Sequence, residues 1–298
     1  MSNPELKDIN IFYGHKEIIR DASFTISPGE IVGLIGHNGA GKTTIMKTLL
    51  GLTKFTGSIS FNDHEITLKD HLALQSVGAL IENPAIYPFL SGYDNLKLYA
   101  KDLSGMDKLI NRLGMKDYID RKAKDYSVGM KQKLGIALAL LNNPQLVILD
   151  EPMNGLDIEA TILIRKLIHE YAARGTAFLI SSHVLSELQK VMTSVIIINH
   201  GRIIINSPMS KFTQEKNPKS KLKTTDIKQT TNLLQQAKIP FDRQDDAVIV
   251  DHKDIDKIQK LLFDNEIWIE YLAPTGLTLE QKIVNILRQE QGGDNNEN

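Results

Sequence analysis

The sequence feature that most constrains the fold is a glycine-rich segment, Gly36-His37-Asn38-Gly39-Ala40-Gly41-Lys42-Thr43-Thr44. An apolar run at residues 31–35 precedes it, and a helical pattern follows over residues 43–50 and stops at Gly51. The segment fits the P-loop pattern G-x-x-x-x-G-K-[ST], which requires a strand, a glycine turn and a helix in this order. The motif therefore has the context that it needs, and it indicates an α/β domain.

The residue types in this segment explain what it binds. Glycines let the backbone turn tightly, so that successive N–H groups and the positive end of the next helix point into one concavity, which suits the phosphates of a nucleotide. We expect Lys42 to reach the β- and γ-phosphates and the Thr43 hydroxyl to bind Mg²⁺. An ordinary glycine turn is the alternative, and the flanking strand and helix disfavour it. The nucleotide-binding residues predicted here are Gly36, Asn38, Gly39, Ala40, Gly41, Lys42, Thr43 and Thr44.

A second candidate site consists of Asp150 and Glu151, which follow the apolar run at residues 146–149 and precede Pro152. Hard cations prefer oxygen ligands, so we expect Asp150 to hold Mg²⁺, usually through water. Glu151 is predicted to orient or deprotonate the attacking water. Two acids at the end of a strand are often only a solvated turn, but a position downstream of a P-loop favours a catalytic role.

The bulk composition excludes several classes of function. The 298 residues, 42% of them apolar and 24% charged, are ordinary for a globular protein of one large domain or two. A formal net charge of −1 disfavours nucleic acid as a partner. The absence of cysteine excludes disulfides, thiolate catalysis and cysteine-ligated zinc. The N-terminus has no signal-peptide pattern, and no apolar run is long enough to span a membrane, so we expect a cytosolic chain unless a partner holds it at a membrane.

The hydrophobic pattern divides the first part of the chain. Strand-like runs without alternation, near residues 146–149, 176–180 and 195–198, are separated by helical patterns, which indicates a parallel sheet covered on both faces. We therefore predict an α/β domain with a mainly parallel sheet over residues 1–215. The mostly helical pattern over about 70–140 is predicted to be an insertion subdomain.

The last third of the chain has a different pattern. Residues 216–221 are polar and basic and are predicted to be a linker. Beyond them, the order of a strand, a helix, two short strands, a helix, a strand and a helix predicts a small α+β domain at residues 216–290. Residues 291–298 are predicted to be a disordered tail.

Further motifs in the same order make residues 5–210 resemble the ATP-binding subunit of an ABC transporter. Tyr13 matches the aromatic residue that stacks on adenine, and Tyr126-Ser127-Val128-Gly129-Met130 matches the signature written L-S-G-G-Q. Asn154-Gly155-Leu156-Asp157 matches the D-loop, and His183 matches the switch histidine. The resemblance implies a P-loop NTPase fold with ATP and Mg²⁺ as cofactors.

Each of these residues also has a purely structural interpretation. Tyr13 could be an ordinary half-buried aromatic residue, Ser127 a plain helix N-cap, and His183 a structural histidine. The resemblance instead implies that Ser127 and Gly129 contact the γ-phosphate of ATP bound to an opposite subunit. It also implies that Asp157 lies at the nucleotide and that His183 contacts the γ-phosphate.

Two positions depart from the usual pattern of the family. Glu82 stands where most members have a glutamine, and it remains a candidate ligand of Mg²⁺, although it adds negative charge near the phosphates. Val128 and Met130 replace a glycine and a glutamine of the signature. Together with Pro84, Tyr87 and the phrase at residues 181–187, these features resemble the ATPases of bacitracin export and lantibiotic self-immunity.

The resemblance implies a motor built from two nucleotide-binding subunits, most simply a nucleotide-dependent homodimer. Separate transmembrane permease subunits would hold it at the cytoplasmic face of the membrane, and the helical insertion would contact them. Two alternatives stay open, a soluble ABC ATPase that does not transport and a nucleotide-sensing regulator with little turnover. Neighbouring genes for membrane proteins would favour transport over both.

Overall fold

The computed structural model describes residues 3–214 and 218–293, and the chain forms two compact units that divide between Phe212 and Thr213. The first unit contains two sheets. Four strands form an antiparallel sheet, β1 (Glu5–Tyr13), β2 (Lys16–Thr25), β4 (Thr56–Phe61) and β5 (His64–Glu65). They lie in the order β2-β1-β4-β5.

Six other strands form the main sheet of the first unit. They are β3 (Ile31–Ile35), β6 (Val77–Leu80), β7 (Leu146–Asp150), β8 (Ala177–Ser181), β9 (Ser194–Asn199) and β10 (Arg202–Pro208). Their order is β10-β9-β3-β8-β7-β6, and all neighbours run parallel except β10 with β9. The prediction of a mainly parallel sheet is therefore confirmed. Because β3, β7, β8 and β9 are buried along their whole length, the sheet lacks the alternation of a half-exposed one.

The helices of the first unit follow the predicted pattern. They are α1 (Lys42–Leu49), α2 (Gly92–Lys97), α3 (Leu103–Arg112), α4 (Val128–Leu140), α5 (Ile158–Ala173), α6 (Leu185–Leu188) and α7 (Met209–Phe212). Fully buried residues of β1, β3 and α1, such as Ile11, Leu34 and Ile45, share one core cluster. This packing fixes the start of α1 at the carboxyl end of β3, which is the edge of a parallel sheet where ligands bind.

Strand β6 corrects the predicted limits of the helical insertion. Residues 77–80 lie inside the range 70–140, yet they pair with β7 and belong to the main sheet. The strand is only four residues long, and in the sequence Gly78 is more typical of a helix end than of a strand, so the strand was not predicted. In the structure, the missing side chain of Gly78 lets the carbonyl of Ala139 in α4 lie directly against the strand, where a Cβ would collide with it.

The second unit has the predicted α+β order. Its elements are β11 (Lys219–Thr224), α8 (Ile227–Gln236), β12 (Phe241–Gln244), β13 (Ala247–Asp251), α9 (Ile255–Phe263), β14 (Ile269–Pro274) and α10 (Leu279–Gly293). The sheet is antiparallel in the order β12-β13-β11-β14. The six elements from β11 to β14 thus have the βαββαβ topology of ferredoxin-like domains. Leu222, Leu234 and Ile258 lie in their shared core.

Two boundary predictions in this unit need correction. Residues 219–221 of the predicted linker form the start of β11, in which buried Ser220 and Leu222 alternate with lysines that keep their charged ends in solvent. Residues 291–293 of the predicted tail are the last residues of α10, a position where glycine is tolerated because the final carbonyls lack helical partners anyway. Residues 216, 217 and 294–298 lie outside the described part of the chain.

Candidate nucleotide-binding site

The P-loop connects β3 to α1 and holds the lysine side chain within it. The Lys42 ammonium donates hydrogen bonds to the carbonyl oxygens of Gly36, at 2.8 Å, and His37, at 3.1 Å. Burial lowers the pKa of Lys42, and the nearby carboxylates of Glu151 and Asp150 oppose that shift. The cation is thus partly stripped of water and faces two acids, an arrangement in which its charge acts strongly on a bound phosphate.

The P-loop threonine and the first acid after β7 are in direct contact. The Thr43 hydroxyl donates to Asp150 Oδ2 at 2.9 Å, and the Ser181 hydroxyl at the end of β8 donates to Asp150 Oδ1. Asp150 is buried, so these bonds hold its carboxylate in one orientation. A hydroxyl and a carboxylate oxygen this close together fit one hard cation such as Mg²⁺. Among the described residues, no group of three or more His, Asp or Glu side chains is placed to hold a metal ion by itself.

The second acid contacts the predicted switch histidine. Glu151 Oε2 accepts hydrogen bonds from the backbone N–H of His183, at 3.1 Å, and from its ring Nδ1, at 2.7 Å. The ring is exposed to solvent, whereas the carboxylate is half-buried. An ionised carboxylate only accepts, so Nδ1 carries the proton in this contact and Nε2 is left for another partner. The two residues predicted to be catalytic are therefore coupled in one hydrogen-bonded pair.

A cleft of about 380 Å³ joins these groups. The residues that line it come from β2, the P-loop, α1 and the end of β7, and they are Ile18, Asn38, Gly39, Gly41, Lys42, Thr43, Thr44, Asp150 and Glu151. Ala40 of the loop is buried, and Gly36 supplies one of the two carbonyl oxygens that accept from Lys42. The fold thus brings the P-loop and both acids of the β7 end to one concavity, which can hold a nucleotide's phosphates against a cation.

Glu82 has a different partner from the one predicted. Its carboxylate accepts from the Lys47 ammonium at 2.6 Å, and this contact raises the pKa of Lys47. Lys47 lies on α1, one turn after Thr43, and the pair is largely exposed. Glu82 is not one of the residues that line the cleft with Thr43 and Asp150. Its charge is offset by a lysine of the P-loop helix.

Tyr13 lies at the end of β1 with about half of its side chain exposed. It is not one of the buried residues of the core. An exposed ring at the end of a strand is available for stacking on a flat ligand. This exposure fits both the interpretation of Tyr13 as an ordinary half-buried aromatic residue and its predicted role in stacking on adenine.

Comparison with known proteins identifies the family. A family model described as ABC transporter matches residues 19–154. The bacitracin transport ATP-binding protein BcrA of Bacillus licheniformis is 31% identical over 295 residues, which cover 94% of this chain and 95% of that protein. The chain belongs to the ATP-binding subunits of ABC transporters. It is accordingly an ATP-binding protein and an ATPase.

Other members of the family agree with this assignment. The lantibiotic transport ATP-binding protein SrtF of Streptococcus pyogenes is 39% identical over 206 residues, which cover 67% of this chain and 89% of that protein. A solved structure of the ATP binding subunit of an ABC transporter matches with a TM-score of 0.67 and 29% sequence identity. The match covers 70% of this chain and 91% of the chain in that structure.

Among the helices of residues 3–214 and 218–293, none combines the length and the apolar character needed to cross a bilayer.

The ABC signature and the D-loop contact each other in this subunit. Ser127 caps α4 by accepting from the N–H of Met130 at 3.3 Å, and Asp157 caps α5 by accepting from Ala160 at 2.7 Å. A Cβ on Gly129 would lie 2.9 Å from the carbonyl oxygen of Gly155, so only glycine lets the two loops approach this closely. Val128 lies over Gly155 and is 72% exposed. These residues do not line the cleft around Lys42.

Three residues that the sequence prediction missed take part in the site. Lys47 is four residues after Thr43, a spacing that places both on one face of α1. Ser181 orients Asp150 from the end of β8, and Gln132 donates from α4 to the backbone carbonyl of Glu151 at 3.0 Å. Gln132 is a buried polar residue, but it lies between Lys131 and Lys133, so the sequence gives no signal of its burial.

Proposed function

We propose that this chain is the ATP-hydrolysing motor of an ABC transporter that exports, or gives immunity to, a peptide antibiotic such as bacitracin or a lantibiotic. The observation that supports this most is the likeness to BcrA over nearly the whole length of both chains. That likeness extends beyond the ATP-binding unit, which ends near Phe212. The likeness to SrtF supports the same class of cargo from the first unit.

The proposed chemistry follows from the groups that meet at the cleft. Glu151 orients and polarises the attacking water, and the His183 ring, already bonded to Glu151, contacts the γ-phosphate. Lys42 stabilises the negative charge that develops on the phosphate oxygens. Mg²⁺, which Thr43 and Asp150 would hold, supplies further positive charge beside the phosphates.

Two copies of the chain are proposed to share each ATP. Ser127 and Gly129 of one copy contact the γ-phosphate of the ATP held by the P-loop of the other, with Asp157 of the D-loop nearby. A serine and free N–H groups at the start of a helix form an anion site, which suits this role. Nucleotide binding then closes the dimer and hydrolysis opens it, so that chemical change becomes movement.

The movement is proposed to reach separate transmembrane permease subunits through the helical insertion. Apolar side chains are exposed there, and they are Tyr87, Phe89, Leu98, Tyr99 and Leu103. The rings of Tyr87 and Phe89 lie with their centroids 5.8 Å apart. Exposed apolar groups close together mark a surface that another protein covers. Such an assembly would hold the chain at the cytoplasmic face of the membrane.

The proposal is tested by expressing the neighbouring membrane genes with the wild-type chain, with Glu151→Gln, or without the chain. Growth is then measured against a panel of cell-envelope peptides that includes bacitracin and a lantibiotic. We expect resistance to at least one peptide only with the wild-type chain, because transport requires hydrolysis at Glu151.

Other outcomes would point to the alternatives. ATPase activity without resistance to any peptide would reject the antibiotic cargo and favour a soluble ABC ATPase or another cargo. Resistance that is equal with Glu151→Gln would reject the motor role. ATP binding with no turnover in the wild-type chain would favour a nucleotide-sensing regulator.

A further inference from the structure

Helix α4, which starts at the signature, touches three functional segments of its own chain. Gly129 in its first turn lies against the D-loop residue Gly155, and Gly135 further along lies against Pro84, where a Cβ would come within 2.8 Å of the proline Cβ. Between them, Gln132 donates from Nε2 to the carbonyl oxygen of Glu151 at 3.0 Å. A single rigid helix thus connects the signature, the loop that contains Glu82 and the catalytic glutamate.

The backbone of Glu151 is in an unfavourable conformation. Its φ of 52° lies in the left-handed region, which costs a residue with a Cβ about 1 kcal/mol or more. The N–H of Glu151 donates to the carbonyl oxygen of Ser181 at 3.1 Å, which anchors it to β8. On the other side, its carbonyl oxygen accepts from Gln132. The conformation is thus held from the core sheet at one end and from α4 at the other.

These two anchors differ in what they can transmit. The bond to Ser181 stays within the parallel sheet, where Asp150 pairs with Ser181. The hydrogen bond from Gln132 instead joins Glu151 to α4, the helix whose first residues belong to the signature. The Gln132 side chain is buried, so its hydrogen bond is shielded from water and sensitive to a small shift of α4.

We infer that Gln132 is a positioning residue that makes the orientation of α4 control the backbone of Glu151 in the same chain. The signature of a chain serves the ATP held by the partner copy, whereas its Glu151 serves its own ATP. Gln132 therefore links the two composite sites, so that occupation of one prepares the base of the other. This inference rests on the proposed two-subunit site and on the proposed role of Glu151.

The first test does not depend on ATPase activity. Hydrogen–deuterium exchange is measured on the full chain without nucleotide, for wild type, Gln132→Met and the control Lys133→Met, which changes the next residue of α4. Methionine has the length of glutamine without its N–H donor, so we expect faster exchange in peptides covering residues 150–156 only for Gln132→Met. Unchanged exchange there would overturn the anchoring role, whatever the function of the protein.

The second test measures ATP turnover and ATP binding. Gln132→Met is expected to lower kcat by about 10-fold, the equivalent of one hydrogen bond, and to reduce cooperativity in ATP concentration. Binding of a fluorescent ATP analogue should stay within about 2-fold of wild type, because the lining of the cleft is untouched. A merely structural role for Gln132 would lower binding and turnover together.

Two results would decide against the inference. A kcat within about 2-fold of wild type for Gln132→Met would show that the bond does not matter for turnover. A lower kcat with unchanged cooperativity would show that Gln132 affects only the ATP site of its own chain and does not link the two sites.

If Gln132→Met is too unstable to assay, Gln132→Glu keeps the shape of the side chain and replaces the donor with an acceptor, and the same two criteria apply. If the wild-type chain does not hydrolyse ATP, the proposed function fails, while the exchange test still decides the anchoring.

Discussion

The P-loop cleft and the signature are the two halves of the proposed shared nucleotide site, each chain carrying one of each kind, and they are built in opposite ways. The P-loop half is completed within the chain, because Lys42 binds its own loop, Thr43 binds Asp150, and Glu151 binds His183. The signature half has a helix cap and a close contact with the D-loop, and Val128 of the signature and Ile158, which follows the D-loop, are 72% and 80% exposed. Charged groups that act on phosphate need a fixed, partly buried setting, whereas a surface meant for a second subunit must stay open.

Lys42→Ala should have the largest effect on this comparison, because it removes the positive charge at the centre of the completed half. We expect ATPase activity to fall on the order of 100-fold or more, with a clear loss of ATP affinity. Steady-state turnover and binding of a fluorescent ATP analogue measure both. The control Lys54→Ala, at an exposed lysine after α1, should change neither. Retained ATP affinity in Lys42→Ala would mean that the first half does not depend on this charge.

Glu151→Gln should separate catalysis from binding within the same half. The amide keeps the shape of the side chain but is a poor base, so kcat should fall on the order of 100-fold or more while ATP still binds. Size-exclusion chromatography with ATP should show a trapped dimer. Turnover near wild type would remove the assignment of Glu151 as the base, and a monomer with bound ATP would weaken the two-subunit site.

Ser127→Ala tests the open half against a matched cap. Its hydroxyl caps α4, just as the Ser91 hydroxyl caps α2 by accepting from Asp94 at 2.9 Å. The control is Ser91→Ala, and each of the two substitutions should lower the free energy of unfolding by about 1 kcal/mol. Only Ser127→Ala should also lower kcat, by about 10-fold, since only that hydroxyl is proposed to contact phosphate. Equal kinetics for the two variants would leave Ser127 as a cap alone.

Glu82→Gln should have the smallest effect, because it breaks a largely exposed ion pair with Lys47 rather than a group in the cleft. An exposed pair contributes less than about 1 kcal/mol, so ATP affinity and thermal stability should change little. In cells that contain the membrane subunits, resistance is expected to change more than isolated turnover does. Unchanged resistance would remove any special role for Glu82, and a large loss of Mg²⁺-dependent activity in the isolated chain would instead favour metal binding.

Local patterns were enough to predict most of the fold. The P-loop, the apolar runs and the helical spacings were properties of neighbouring residues, so most of the element order of both units followed from them, although strand β10 was not predicted. Strand β6 was missed as part of the main sheet because Gly78 has meaning only against Ala139 of α4. The start of β11 was hidden in the same way, since its lysines look like a linker until their buried neighbours Ser220 and Leu222 are seen.

The candidate site likewise has a part that the sequence predicts and a part that only the structure shows. The sequence alone placed Lys42 after a glycine turn and Asp150 and Glu151 at a strand end, because a motif encodes the residue types that phosphate and cation chemistry require. Only the tertiary structure decided that Glu82 pairs with Lys47 and that Gln132 holds the carbonyl of Glu151. Such contacts join residues far apart in the chain, and a hydrogen bond depends on distances and angles that packing sets.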